Sequence, residues 1–342
     1  MNMHTIIEKL SQGQNLNTDE MTAAMQLLMQ GQATQAQIGA FLLGLRLKGE
    51  TVTEIAAAVQ VMRDFVTPVV INEPNLVEIV GTGGDGAQLF NVSTASALVM
   101  AAAGVKVAKH GNRAVSSRSG SADLLESAGV NINLTPLQIK QCIEQVGIGF
   151  MYGPLHHNAM QRVGGARKEL GIRTVFNLLG SLSNPAATKH QVVGVYAANL
   201  LRPVAEVLAK LGSKHVLVVH AEDGLDEISN AATTQIVELK LGKISTYTIT
   251  PEQFNITCGS LEALRAATIN ESLAIIHSVL ANTAGPARDI VALNAGAGIY
   301  VSGLAESLAA GVKLALLNIA NGAAKAKLAA WIELSQRISK IT

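Results

Sequence analysis

Val77-Glu78-Ile79-Val80 runs directly into Gly81-Thr82-Gly83-Gly84-Asp85-Gly86, and an Ala-rich stretch from about Ser93 to Ala103 follows. The first four residues read as a short strand, the glycines as a turn, and the Ala-rich stretch as the helix that the turn opens. Val105 to Ala108 is a second strand candidate. Ser121 to Ser127 reads as a short helix stopped by Gly129, and Thr135-Pro136 is an N-cap and N1 pair for the next helix. Further on, His215 to His220 (His-Val-Leu-Val-Val-His) has the pattern of a buried strand, and 235–240 and 244–249 are strand candidates on either side of Gly242. The tail from Pro286 to Ser339 is mostly helical. Strands alternating with helices predict an α/β unit with a central, mostly parallel sheet.

Upstream the character differs. Residues 1 to about 70 look helical throughout, with capping-box spacing at Asn17/Glu20 (loosely), Thr34/Gln37 and Thr51/Glu54. Thr67-Pro68 ends the third of these helices or closely follows its end. The composition changes at Asn72 to Pro74. These readings predict a small α-helical domain over 1–70 and a larger α/β domain over 75–342.

The 342 residues are enough to bury a large core, with 49% hydrophobic and 15% charged residues. The formal net charge is +1 and aromatics are only 3%, which opposes both a global field for polyanions and base reading by stacking. Cys142 and Cys258 are too few for a disulfide framework or a Cys-based zinc site, and read as buried thiols of a reducing compartment. The run from Ala87 to Val105 lacks charge but contains Gln88, Asn91, Ser93, Thr94 and Ser96, which a membrane helix would avoid. With no signal-peptide pattern, the expected location is the cytoplasm, with neither nucleic acid nor membrane as a partner.

Three segments carry chemistry. Gly81, Gly83 and Gly86 match G-x-G-x-x-G, but no Asp or Glu occurs between Asp85 and Asp123 to hold a dinucleotide ribose, and no Lys-Ser or Lys-Thr follows to make a Walker loop. What remains is a loop whose backbone N–H groups can wrap an anion, with Asp85 implying a Mg²⁺ beside phosphates. Residues 106–118 contain Lys106, Lys109, Arg113 and Arg118 and no acid, with Ser116, Ser117, Ser119 and Ser121 around the last Arg. Those are donors suited to phosphate oxygens. Finally, Glu222, Asp223, Asp226 and Glu227 follow the 215–220 strand, where such crowding calls for a cation. No nucleophile is evident, so positioning and electrostatics are the expected means of catalysis.

Taken together, GTGGDG (81–86), NVST (91–94), KHGNRAVSSRSGSADLLE (109–126), GPLHHNAM (153–160), RKELGIRTVFNLLG (167–180), NPA (184–186) and DGLDEIS (223–229) resemble the anthranilate phosphoribosyltransferase family in sequence and in order. The resemblance implies a fold of the nucleoside phosphorylase/phosphoribosyltransferase type, with a cleft at the hinge and a helical segment near 172–190 returning to the small domain. It implies transfer of the phosphoribosyl group of 5-phosphoribosyl 1-diphosphate (PRPP) to anthranilate, releasing pyrophosphate, with Mg²⁺ as cofactor, as the second step of tryptophan biosynthesis from chorismate. PRPP and anthranilate are then its partners, together with a second copy in a homodimer, and an anthranilate synthase component is compatible with it.

Residue by residue, the resemblance assigns PRPP binding to Gly81, Thr82, Gly83, Gly84, Asp85, Asn91, Ser93, Thr94, Lys109, His110, Gly111 and Ser121. Anthranilate binding falls to Gly81, Asn112, His157 and Arg167, and metal binding to Ser93, Asp226 and Glu227. Arg167 can pair with a carboxylate. The chain departs from the family at Ser181, where Pro is usual, and at Gly164-Gly165-Ala166, where Pro-Val usually precedes the Arg. Both departures touch the anthranilate side. Two other readings are a nucleoside phosphorylase of the same fold and a non-catalytic, nucleic-acid-binding relative. The acids of GLDE (224–227) and the HGNRAVSS run (110–117) oppose the first, and the net charge of +1 and the intact PRPP motifs oppose the second.

Overall fold

The computed structural model describes residues 2–84, 86–114 and 119–340. Four helices come first: α1 (Met3–Ser11), α2 (Thr18–Gln30), α3 (Gln35–Lys48) and α4 (Val52–Asp64). Complete capping boxes start α2, α3 and α4, and an Asn2 N-cap starts α1. Each such cap satisfies backbone donors that would otherwise be orphaned, worth about 1 kcal/mol. The capping acid of α4 does more. Glu54 is fully buried, accepts from the Leu16 amide at 2.8 Å and pairs with Lys48 Nζ at 2.8 Å, so one carboxylate ties together the ends of three helical segments.

The larger unit then alternates: β1 (Val77–Gly81), α5 (Val92–Ala102), β2 (Val107–Gly111), α6 (Ser121–Ser127), α7 (Pro136–Val146), β3 (Ile148–Tyr152), α8 (Gly153–His156), α9 (Gln161–Leu170), α10 (Phe176–Leu182), β4 (His190–Gly194), α11 (Leu201–Lys210), β5 (His215–Ala221), β6 (Thr234–Lys240) and β7 (Lys243–Ile249). It closes with α12 (Ile269–Leu280), α13 (Pro286–Val301), α14 (Leu308–Ala320) and α15 (Ala323–Ile338). The sheet has the order β3-β2-β1-β4-β5-β6-β7. Its first five strands are parallel, while β6 and β7 add an antiparallel edge. The chain winds outward from β1 to β3 and then returns to β4 on the other side of β1. That reversal makes β1/β4 the switch point, where open α/β sheets bind ligands beyond the strand C-termini.

Each face of the sheet has its own core. Val77, Ile79, Val107 and Leu217 pack against α5, α7, α13 and α15, with Trp331 buried among them. Val193, Val216, Val218 and Val237 face α11, and the same cluster continues into α1–α4. Val163 and Ala166 of α9, and Val175 to Leu182 around α10, also belong to this second cluster. The returning helical segment therefore begins at Gln161, earlier than the expected 172, because the apolar face of α9 already packs on α3. There the Ala166 amide donates to Gln35 Oε1 at 3.1 Å. By 184–190 the chain has left the helices and ties to the sheet, with Asn184 Nδ2 donating to the Ala108 carbonyl at 3.0 Å.

Other sequence expectations needed revision. The second strand starts at Val107, not Val105, and strands β3 and β4 were not anticipated. Cys142 is buried, but Cys258 is exposed, with its Sγ donating to the Ala231 carbonyl at 3.0 Å. Among the described residues no helix is long and apolar enough to cross a membrane.

Candidate active site at the sheet switch point

Gly81 and Gly194 end the two switch-point strands and are register partners. Both lack a side chain for the same reason. A Cβ on Gly81 would fall on the Asp226 carboxylate, and one on Gly194 on the Asp226 backbone carbonyl. The acidic loop after β5 thus folds back across the ends of β1 and β4, and only two glycines leave room for it.

The Gly81–Gly84 loop is pinned at several points. The Thr82 amide donates to the Gly194 carbonyl at 2.9 Å, and the Tyr196 amide donates to Thr82 Oγ1 at 3.1 Å. The Gly83 amide donates to Asp226 Oδ2 at 2.6 Å. Gly83 and Gly84 both have left-handed φ, +68° and +79°, which side chains rarely tolerate. Asp85 lies outside the described residues.

The acidic cluster separates by function. Asp223 accepts from Ser229 Oγ at 2.6 Å and from the Leu225 amide at 3.3 Å, which shapes the loop. Glu222 is exposed, and its amide continues the sheet by donating to the Thr233 carbonyl. Asp226 is buried against the glycine loop, and Glu227 is half-buried beside it. From below, Asn294 of α13 grips the next peptide on both sides: its Oδ1 accepts from the Ile228 amide at 2.9 Å and its Nδ2 donates to the Ile228 carbonyl at 2.8 Å. Nothing in the sequence singled out Asn294. Its only signal is an amide among the apolar residues of a buried helix.

Lys109 of β2 is the buried cation of the site. Its Nζ donates to the Ile79 carbonyl at 2.9 Å and to Ser93 Oγ at 3.1 Å. Burial pushes its pKa down, and the fields of Glu227, Glu78 and Asp226 oppose that shift. Ser93 lies in the first turn of α5, whose N-cap Asn91 makes no side-chain cap. Instead Asn91 Oδ1 accepts from Ser119 Oγ at 2.9 Å and from Ser272 Oγ at 2.8 Å. The α5 N-terminus thus puts a positive dipole end near Lys109. Thr94 Oγ1 is buried there without a partner.

The rest of the basic run is largely committed elsewhere. Lys106 Nζ caps the Glu144 carbonyl at 2.8 Å. Arg113 pairs with Asp123 at 2.9 Å and Glu126 at 2.8 Å, and lies 5.5 Å over the Tyr152 ring. These two cations brace helices, so the expectation that they serve phosphate does not match their contacts. Ser116, Ser117 and Arg118 lie outside the described residues. Ser121 sits against Gly111, its Oγ reaching the Asn112 carbonyl at 3.5 Å, and a Cβ on Gly111 would collide with that Oγ.

A second group forms on the helical side of the sheet. The His110 and His157 rings lie 4.9 Å apart, and among the described residues neither buried Nε2 has a hydrogen-bond partner. Burial lowers the pKa of both, that of His157 to about 4, so both are neutral near pH 7. His110 therefore points away from Lys109 and Ser93, although the sequence grouped the three together. Alternation along β2 places adjacent side chains on opposite faces. Asn112 packs against Gly153, where a Cβ would collide with its amide. Arg167 of α9 lies 5.5 Å over the Phe176 ring, and burial lowers its pKa. Among the described residues it pairs with no carboxylate, Glu169 included. Ser181 is buried on α10, its hydroxyl donating to the Leu178 carbonyl at 2.9 Å.

The donor set suits a hard cation only in part. Asp226 and Glu227 offer carboxylate oxygens, but among the described residues no group of three or more His, Cys, Asp or Glu could hold a metal ion. Such a pair fits Mg²⁺, which takes one or two carboxylates and completes its shell with substrate phosphates.

Comparison with known proteins gives a concordant result. Residues 73–325 match the glycosyl transferase family a/b domain, and residues 4–66 the glycosyl transferase family helical bundle domain. The anthranilate phosphoribosyltransferase of Hydrogenovibrio crunogenus is 54% identical over 98% of this chain and 99% of its own. That of Methylococcus capsulatus is 53% identical over 99% of each. The Thermus thermophilus anthranilate phosphoribosyltransferase crystal structure superposes with a TM-score of 0.92 at 42% identity, covering 97% of this chain and 99% of that one. The Saccharomyces cerevisiae enzyme in complex with PRPP and Mg superposes at 0.89 with 26% identity over 98% of both chains.

Proposed function

The chain belongs to the anthranilate phosphoribosyltransferase family, and we propose that its cleft transfers the 5-phosphoribosyl group of PRPP to the amine of anthranilate, giving N-(5-phosphoribosyl)anthranilate and pyrophosphate. One observation carries the site assignment: Asp226 holds the glycine loop at the β1/β4 switch point, with buried Lys109 in the field of Asp226 and Glu227. PRPP takes the loop Gly81–Gly84, Asp85, the α5 N-terminus with Asn91, Ser93 and Thr94, and Lys109, with Gly111 and Ser121 alongside. Asp226, Glu227 and Ser93 would hold Mg²⁺, which would supply positive charge against the pyrophosphate leaving group.

Anthranilate takes the helical side. Arg167 meets its carboxylate, while Asn112 and His157 border the ring, and Gly81 lets the two substrates approach. On geometry, His110 belongs with His157 in this half. Two neutral, desolvated imidazoles place no cation against the arylamine. No side chain need bond to the sugar. The anomeric carbon becomes cation-like as pyrophosphate leaves, and the protein's contribution is to hold a weak nucleophile in line. We further propose a role in tryptophan biosynthesis, a cytoplasmic location and a homodimer formed through the helices; the exposed Leu43 and Leu47 of α3 support the last.

The test is anthranilate fluorescence followed in time. Signal should fall with PRPP and Mg²⁺ and hold steady with EDTA. Thymidine with inorganic phosphate should not be cleaved. Persistent fluorescence in the complete mixture would refute the acceptor assignment. Arg167→Ala should raise the KM for anthranilate by about 30-fold, the scale of one charge-assisted pair of about 2 kcal/mol. The KM for PRPP should change less than threefold on the same scale. Equal rises in both constants would remove Arg167 from the acceptor site.

A further inference from the structure

One anchor of the glycine loop comes from the segment between α9 and α10. Arg173, in the link between α9 and α10, donates from Nη2 to the Gly84 carbonyl at 2.6 Å. Its guanidinium also lies 4.4 Å over the Tyr196 ring. The Tyr196 amide in turn donates to Thr82 Oγ1 at 3.1 Å. Arg173, Gly84, Thr82 and Tyr196 thus close a ring around the loop.

The link is short, and the arginine before it and the arginine within it go to two places. Arg167, six residues earlier, stacks over Phe176, and Arg173 lies between them in sequence. Its position is fixed at both ends: Gly171 is left-handed at φ +61°, and just before α10 the Thr174 amide donates to Asn177 Oδ1 at 2.9 Å. A glycine loop left to itself samples many conformations, and a ligand must then bear the cost of ordering it. Three of the loop's anchors belong to the α/β unit. The fourth comes from the segment that packs with the helical bundle.

We propose that Arg173 is a positioning residue that presets the donor loop. This rests on reading Gly81–Gly84 as the PRPP loop. The guanidinium itself need not touch PRPP. By holding a backbone carbonyl outward it keeps a partial negative charge off the phosphates and narrows the loop to a binding-ready set.

The experiment uses the full chain and three variants: Arg173→Met, Arg173→Lys and, as a control for the site itself, Lys109→Met. PRPP affinity is measured by calorimetry with Mg²⁺, alongside both KM values. Arg173→Met should weaken PRPP binding and raise its KM by about tenfold, the value of one charge-assisted hydrogen bond at an exposed position. The anthranilate KM should stay within about twofold. Arg173→Lys should recover part of the loss, since an ammonium can still donate to the carbonyl but stacks less well. Unchanged PRPP affinity in Arg173→Met, with a loss in Lys109→Met, would overturn the Arg173 inference alone. No loss in either variant would overturn the assignment of the loop as well. Equal rises in both KM values would also overturn the inference, since they would mark a general loss of structure.

Discussion

Asp226→Ala with Glu227→Ala should lower kcat by on the order of 10³-fold and raise the Mg²⁺ concentration needed for half-maximal rate. Two effects combine. The pair supplies the carboxylate oxygens for the cation, and Asp226 Oδ2 also holds the Gly83 amide. The single variant Asp226→Asn separates them, because an amide oxygen still accepts from Gly83 while the charge is gone. It should keep PRPP affinity closer to wild type than the double variant does, yet still need more Mg²⁺. Rates titrated against Mg²⁺ at saturating PRPP decide the matter. Superimposable titration curves for wild type and double variant would show that these acids do not hold the cation.

Lys109→Met should act in the opposite sense on the metal. Removing a buried positive charge leaves the field of Glu227 and Asp226 less opposed, so the Mg²⁺ requirement should fall or hold steady. The anionic donor loses its partner, and its KM should rise by about 100-fold, in line with a charge-assisted contact of nearly 3 kcal/mol. The buried Glu78 carboxyl, already pushed up to about 7 by desolvation, should rise further once the Lys109 field is gone. Met fills a similar volume, so the melting temperature gives an independent control at a pH below 6, where Glu78 is protonated in both proteins. A Mg²⁺ requirement that rises together with the PRPP KM would mean that Lys109 serves the metal pocket structurally. The two variants thus test opposite signs of one electrostatic arrangement.

The helical start, the strand–glycine loop–helix unit at 77–103 and the strands at 215–220 and 235–249 were legible because each rests on local physics. Capping boxes, a loop that only glycine can form, and runs of β-branched residues act within a few residues of one another. Strands β3 and β4 escaped notice for a related reason. Ile148–Tyr152 and His190–Gly194 are five residues each, and become strands by pairing with β2 and β1, which lie far away in sequence.

The candidate site divides in the same way. The resemblance of its motifs to a known family named Lys109, Asp226 and Arg167 from the chain alone. Residue type and spacing could not say that Arg113 and Lys106 would be used up bracing helices, or that Asp223 would shape the acidic loop while Asp226 crossed the ends of β1 and β4. Nor could they show that His110 and Lys109, adjacent in sequence, face opposite sides of the sheet. Asn294 and Arg173 became visible only in three dimensions, since each acts on a loop more than 60 residues away. By itself the sequence determined which elements form and which chemical groups are on hand, because propensity, capping and charge are local. The tertiary structure alone decided which of those groups are free for a substrate, because that depends on partners brought together from distant parts of the chain.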